Sequence, residues 1–140
     1  MIQDYQNKFS DAQAITDSSS SSTYYIDTQA AGNALRDGAY VYINIATACT
    51  TADGGTIIAT LDTATSTDGA TGKVTLLTAP TLTVVTAAAG SAAGTVLLRA
   101  AIPAGCLRYL FVTYTVANNL TAGAFDAGIV LDPEILIDGQ

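Results

Sequence analysis

Alternation of apolar and polar positions is the main pattern along this 140-residue chain. Runs rich in Thr, Val, Ile and Tyr are separated by Gly, Asp, Asn and Ser, which favour turns. Because successive side chains of a strand point to opposite faces, these runs predict β-strands. The candidate strands are Thr23–Thr28, Tyr40–Thr47, Thr56–Thr63, Lys73–Leu77, Thr81–Thr86, Thr95–Ile102, Leu107–Val116 and Ala124–Leu131. About eight short strands predict an all-β fold, a sandwich or a jelly roll.

The predicted strand Leu107–Val116 is largely apolar on both faces, whereas a strand with one solvated face would alternate with polar residues. Its second face therefore needs a cover: the opposite sheet's edge, the leading segment Met1–Asp17 folded back, or a second copy of the chain. We expect one face in the core and the other nearer a partner. The expected core residues are Leu107, Tyr109 and Phe111, and the expected partner-side residues are Arg108 and Tyr114.

Thr95–Ile102 is also mostly apolar on both sides, and the turn Pro103-Ala104-Gly105 connects it to the next strand. Such a short turn between two strand patterns predicts a hairpin.

The beginning of the chain differs from the rest. A serine run, Ser18–Ser22, separates Met1–Asp17 from the strand patterns, and Ser10–Ala14 could form one short helical turn. We therefore divide the chain into an N-terminal segment with its spacer, residues 1–22, and a β-sandwich domain, residues 23–140. Tyr5 and Phe9 give the segment enough apolar surface to dock on something.

A tyrosine-bearing face distinguishes the strand Tyr40–Thr47. Its aliphatic side chains point one way and are expected in the core; these are Val41, Ile43 and Ile45. Tyr40 and Tyr42 point the other way, as exposed rings or as a contact surface. The candidate partner-contact residues are therefore Tyr5, Phe9, Tyr40, Tyr42, Arg108 and Tyr114.

The composition argues against several classes of function. Charged residues make up 12% of the chain, about half the usual share, so part of the surface is threonine-rich or hidden in an assembly. The net charge is −7 and the five basic residues are scattered, so nucleic-acid binding is not expected. The longest charge-free run, residues 74–98, contains proline and glycine and predicts no membrane helix.

The sequence matches no catalytic or metal-binding motif. Without histidine, the common Ser-His and Cys-His pairs cannot form, and Cys49 and Cys106 lie in no zinc motif. The carboxylates match no calcium loop. We expect no enzymatic activity, no metal and no cofactor. Two rivals stay open: a carbohydrate-binding sandwich, for which Tyr24, Tyr25, Tyr40 and Tyr42 supply rings, and a small hydrolase with paired carboxylates.

Two blocks of the sequence resemble the capsid cement proteins of short-tailed phages, the Bordetella-phage type. The first block is NKFSDAQAIT (7–16), a Ser/Thr-rich spacer and TYYIDT (23–28). The second is VLLRAAIPAGCLRYLFVTYTVANNLTAGAFDAGIVLD (96–132). Residues 29–95 match only in pattern. The family's turn before Arg-Tyr is often polar, whereas here it is Pro103-Ala104-Gly105-Cys106.

The resemblance implies a jelly-roll-like antiparallel sandwich without catalysis or cofactor. It implies a structural role on the outer surface of an icosahedral head, in the virion, after assembly in the host cytoplasm. The implied partners are the major capsid protein and a second copy of the chain, as a homodimer that clamps neighbouring subunits.

Overall fold

The computed structural model describes residues 7–17, 20–29, 38–84 and 91–131. Within these ranges the chain forms ten strands and no α-helix. The strands are β1 (Lys8–Ala14), β2 (Ser20–Ser21), β3 (Ile26–Asp27), β4 (Ala39–Thr50), β5 (Gly55–Ala64), β6 (Val74–Thr78), β7 (Leu82–Val84), β8 (Val96–Ala101), β9 (Tyr109–Ala117) and β10 (Ala122–Leu131).

Two antiparallel sheets pack face to face. Sheet A has the order β1-β10-β4-β8, and sheet B the order β2-β9-β5-β6, with β3 also on β9 and β7 also on β5. If β2 and β3 count as one strand, and β6 and β7 as another, the eight strands have the order of a jelly roll. The predicted all-β sandwich is confirmed.

The core lies between the sheets and is built from the apolar face of each long strand. Sheet A contributes Val41, Ile43 and Ile45, all at most 1% exposed, as the alternation predicted. Sheet B contributes aliphatic side chains of β5 and β9, among them Ile57 and Leu61. The period-2 pattern therefore oriented these strands correctly.

The turn at residues 103–105 does not form the predicted hairpin. β8 lies in sheet A and β9 in sheet B, so the turn carries the chain from one sheet to the other. Gly105 has a φ of 92°, a left-handed conformation that glycine adopts without a steric penalty. A short turn with such a glycine suits a hairpin and a crossover equally, so local sequence did not separate the two.

The leading segment is part of the sandwich. Its strand β1 is an edge of sheet A and not the short helical turn that Ser10–Ala14 could form, and β2 lies on β9 in sheet B. Two register shifts interrupt the β1–β10 pairing, and Ala12, with a φ of 45°, donates its N–H to Asp126 Oδ1 at 2.6 Å. The division at residues 22/23 therefore does not separate a segment from a domain among the described residues.

Candidate interaction surface

Three of the expected contact residues have buried side chains. Phe9 and Tyr114 are fully buried, and Tyr42 is 4% exposed. Their side chains therefore have no open surface to offer a partner in this conformation. Tyr40 is half-buried and Arg108 is exposed, while Tyr5 lies outside the described residues.

Tyr114 points into the core because β1 gives its hydroxyl a partner there. The hydroxyl donates to Ser10 Oγ at 3.0 Å, and the ring lies 5.2 Å from that of Phe125, centroid to centroid. Burial raises the pKa of the Tyr114 phenol well above its usual range. The expected assignment of faces on β9 was therefore inverted: Leu110, Val112 and Tyr114 face the core.

Tyr42 is buried on the outer face of sheet A by a glycine on the neighbouring strand. Gly128 pairs with Tyr42, and a Cβ at position 128 would lie 2.7 Å from the Tyr42 hydroxyl and 2.9 Å from Cε1. Burial raises the pKa of Tyr42, and nearby Lys8 opposes that rise. The Tyr42 ring thus packs against the neighbouring strand of its own sheet.

The chain's own 65–73 loop covers part of the second face of β9. Phe111 points outward yet is only 4% exposed. A Cβ at Gly69 would lie 2.6 Å from Phe111 Cζ, so the loop backbone rests on the ring, and Lys73 Nζ lies 5.4 Å from the ring centroid. The sequence analysis named three possible covers for the second face of β9, and this loop was not among them. The sequence patterns therefore did not reveal what covers Phe111.

A buried carboxylate anchors the same region. The Asp62 side chain is 1% exposed, and it accepts hydrogen bonds from Thr75 at 2.7 Å, Thr60 at 3.1 Å and Thr113 at 2.5 Å. Lys73 Nζ lies 3.0 Å from its Oδ2. Hydroxyl donors and a cation together compensate the cost of burying the charge.

Four side chains beside the first residue of β9 contact one another, and we call them the tyrosine–arginine patch: Tyr25, Asp27, Arg108 and Tyr109. Arg108 Nε and Nη2 donate to the two Asp27 oxygens at 3.0 and 2.9 Å. The guanidinium carbon lies 5.1 Å from the Tyr109 ring centroid, and Tyr25 meets that ring edge-on at 5.4 Å. Arg108 lowers the pKa of Asp27 by hydrogen bonding.

Elsewhere the described residues show little that is chemically reactive. They contain no group of three potential metal ligands and no helix that could span a membrane. Cys49 and Cys106 are free and buried, and burial raises the pKa of Cys49 to about 11, which disfavours its thiolate. An open depression lined by residues 52–53 and 118–121 holds one carboxylate, Asp53.

The model of the Bbp16 protein family matches residues 9–129 of the chain. The chain belongs to the Bbp16 family. The family is one of Bordetella-phage proteins. A search of curated proteins finds no match.

The Bbp16 match extends from β1 to near the end of β10 and so includes all of β1 but Lys8, although the sequence analysis had set this segment apart. It also includes the Asp62 network and the whole tyrosine–arginine patch. Sequence reasoning named Arg108 as a contact residue and Tyr25 as a possible sugar platform, but it did not bring them together. The alternation of β3 could have placed Tyr25 and Asp27 on one face; pairing of β3 with β9 then sets both beside Tyr109.

Proposed function

We propose that the chain is a structural capsid cement protein that binds the outer surface of a phage head and clamps neighbouring subunits of the major capsid protein. It acts without catalysis or cofactor. The observation that carries the proposal is the Bbp16 match, which supports a phage protein and agrees with the resemblance of residues 7–28 and 96–132 to cement proteins.

The fold suits such a role. A packed head pushes its shell outward, and a clamp resists separation of the subunits only if it keeps its own shape. Here β1 lies in sheet A while β2 and β3 lie in sheet B, so the first strands bridge the two sheets. Gln13 joins the two parts: its side chain donates to Ser21 O at 2.9 Å and accepts from the N–H of Thr23 at 2.8 Å.

The stabilisation of the shell follows from mass action. A protein that binds the assembled shell, and not its separated subunits, shifts the equilibrium toward the shell. Two modest contacts joined in one clamp also act at high effective concentration, so the pair holds far more strongly than either contact alone.

The direct test uses phage heads that lack this protein. Added protein is expected to co-sediment with the heads and to raise the temperature, or the osmotic shock, at which they release DNA. Isolated major capsid subunits provide the control, since the clamp needs two neighbours. Failure to co-sediment with heads would refute the proposal.

One observation favours a second candidate, a carbohydrate-binding module on a phage surface. Tyr24 and Tyr25 are 42% and 48% exposed, and such rings can stack on sugars. Glycan-array binding that Tyr25→Ala abolishes, together with no affinity for heads, would replace the cement proposal by this one.

A further inference from the structure

We propose that the depression between the β4–β5 loop and the β9–β10 loop binds one sugar residue of a glycan, through the side chains of Asp53, Asn118 and Asn119. The depression lies at the end of β9 away from the tyrosine–arginine patch, and the nine residues of that strand put about 30 Å between them. The inference goes beyond the proposed cement function and does not depend on it.

Hydrogen bonds between the two loops hold the frame of the depression. The Thr51 hydroxyl donates to Asn119 O at 3.2 Å, and the Thr121 N–H donates to Thr50 O at 2.8 Å. The hydroxyl oxygens of Thr50 and Thr121 lie 2.7 Å apart and share a hydrogen bond. Leu120 is 4% exposed and anchors the second loop in the core. A ligand therefore meets a backbone that is already in place, so its binding costs little conformational entropy.

Three polar side chains on this frame keep their hydrogen-bonding groups for a ligand. Asp53, Asn118 and Asn119 line the depression and are exposed, and within the described ranges their side chains make no hydrogen bond. In turns, Asp and Asn side chains commonly bond to nearby backbone, as Asp68 does when it accepts from the Ala70 N–H at 2.9 Å. The depression departs from that habit, and one carboxylate and two amides stay open to solvent.

The chemistry of the lining selects the class of ligand. Among the described residues no cation lines the depression, which disfavours an anion such as phosphate. It offers a single carboxylate, which is too little for a calcium site, and no ring on which a nucleobase could stack. A sugar fits this lining, because each hydroxyl both donates and accepts. A carboxylate accepts from neighbouring hydroxyls, and an amide can donate and accept.

The size of the depression suits one sugar residue at the end of a longer glycan. Its volume is about 510 Å³, within the roughly 300–1,000 Å³ that is typical of ligand pockets. Ala52 and Leu120 add apolar carbon atoms beside the polar groups, and a pyranose ring likewise presents C–H groups beside its hydroxyls. Because the depression is open, the rest of the glycan can continue into solvent. A few hydrogen bonds in an open site support millimolar affinity for a single sugar.

The test is a titration of the isotope-labelled full chain, followed by NMR amide shifts. The probes are the methyl glycosides of glucose, galactose, mannose and N-acetylglucosamine, each at up to about 100 mM because millimolar affinity is expected. At least one of them should shift the amide signals of residues 52–53 and 118–121 and reach saturation. Asp53→Ala and Asn119→Ala should each weaken this binding at least about fivefold, because each removes a group that bonds to the sugar.

Asp68→Ala is the matched control. It removes the same charge from the loop after β5, which ends beside Tyr109 at the opposite end of β9, and it should leave sugar binding unchanged. Melting curves of all variants confirm folding. No shift with any of the four sugars would overturn the inference. Shifts confined to Tyr24 and Tyr25 would overturn it too, and so would loop shifts caused by calcium chloride but by none of the sugars. Binding to heads is measured separately by co-sedimentation, so the cement proposal stands or fails independently of this site.

Discussion

Replacing Asp62 by alanine should destabilise the protein more than any other single carboxylate replacement among the described residues. Its carboxylate accepts three hydroxyl hydrogen bonds, from Thr60, Thr75 and Thr113, and lies 3.0 Å from Lys73 Nζ. Hydrogen bonds to a charged group contribute about 1.5–3 kcal/mol each, so the three amount to roughly 5–9 kcal/mol before any offset.

Two effects reduce that sum. Burying a carboxylate costs several kcal/mol, and alanine relieves this cost. The hydroxyls can also find other acceptors, since Thr60 Oγ1 already lies 3.5 Å from Thr113 O. We therefore expect Asp62→Ala to lower the free energy of unfolding by about 2–4 kcal/mol. For a domain of this size, 3 kcal/mol corresponds to a melting temperature about 10 °C lower.

Guanidinium denaturation followed by circular dichroism measures this loss, and an unchanged m-value shows that two-state unfolding is retained. Asp53→Ala is the control, because Asp53 is exposed and should change stability by less than about 0.5 kcal/mol. Lys73→Met separates the ion pair from the hydroxyls. Since the Lys73 side chain is 39% exposed, its loss should cost only about 1 kcal/mol. An Asp62→Ala variant as stable as the Asp53 control, or a costlier Lys73→Met, would refute the reasoning.

Three further changes test other parts of the structure. Gly69→Ala should cost about 1–3 kcal/mol, because the new Cβ would lie 2.6 Å from Phe111 and the backbone φ is +69°; a neutral result in denaturant melts would contradict the loop cover. Tyr114→Phe keeps the ring but loses a buried hydrogen bond, so the same melts should show a loss of about 1 kcal/mol, and no loss would argue against that bond. Arg108 lowers the pKa of Asp27 below its unfolded value, so the ion pair stabilises the fold fully above about pH 4, and this stabilisation is lost as the pH falls through the lowered pKa. Asp27→Asn should therefore flatten the acidic part of the stability–pH profile. An unchanged profile would count against the ion pair.

The sequence predicted the strands well because a period of two survives wherever one face is buried. Seven of the eight candidate strands overlap an observed strand over most of their length, counting only the described part of Thr81–Thr86. The eighth, Thr23–Thr28, contains only the two-residue β3. The end of Thr81–Thr86 lies outside the described residues.

The orientation of β9 could not be predicted from its own residues. Both faces are apolar, so alternation offers no preference between them. The choice is made by long-range partners. Ser10, about a hundred residues earlier, accepts a hydrogen bond from the Tyr114 hydroxyl in the core, and Gly69 leaves room for the Phe111 ring on the outer face. Neither partner is visible from a pattern local to the strand.

The assignment of strands to sheets was equally beyond local reading. By local sequence Ser10–Ala14, in β1, could form one short helical turn, but pairing with β10 and the Ala12 N–H bond to Asp126 give its backbone partners that an isolated turn would lack. The short turn at residues 103–105 fits a hairpin locally, yet a jelly roll sends consecutive strands to opposite sheets there. Only the global arrangement decides between these outcomes.

How the second face of β9 is covered changes what a partner must supply. If a twin subunit covered the whole strand, its removal would expose Phe111 and leave a large apolar face, and the isolated chain would be poorly stable. Instead the 65–73 loop covers Phe111, and Thr113 and Thr115 tolerate water. On this face the tyrosine–arginine patch stays open to a partner. A contact of that size is modest, so the proposed clamp would owe its strength to two copies acting together across one seam, with each copy stable by itself.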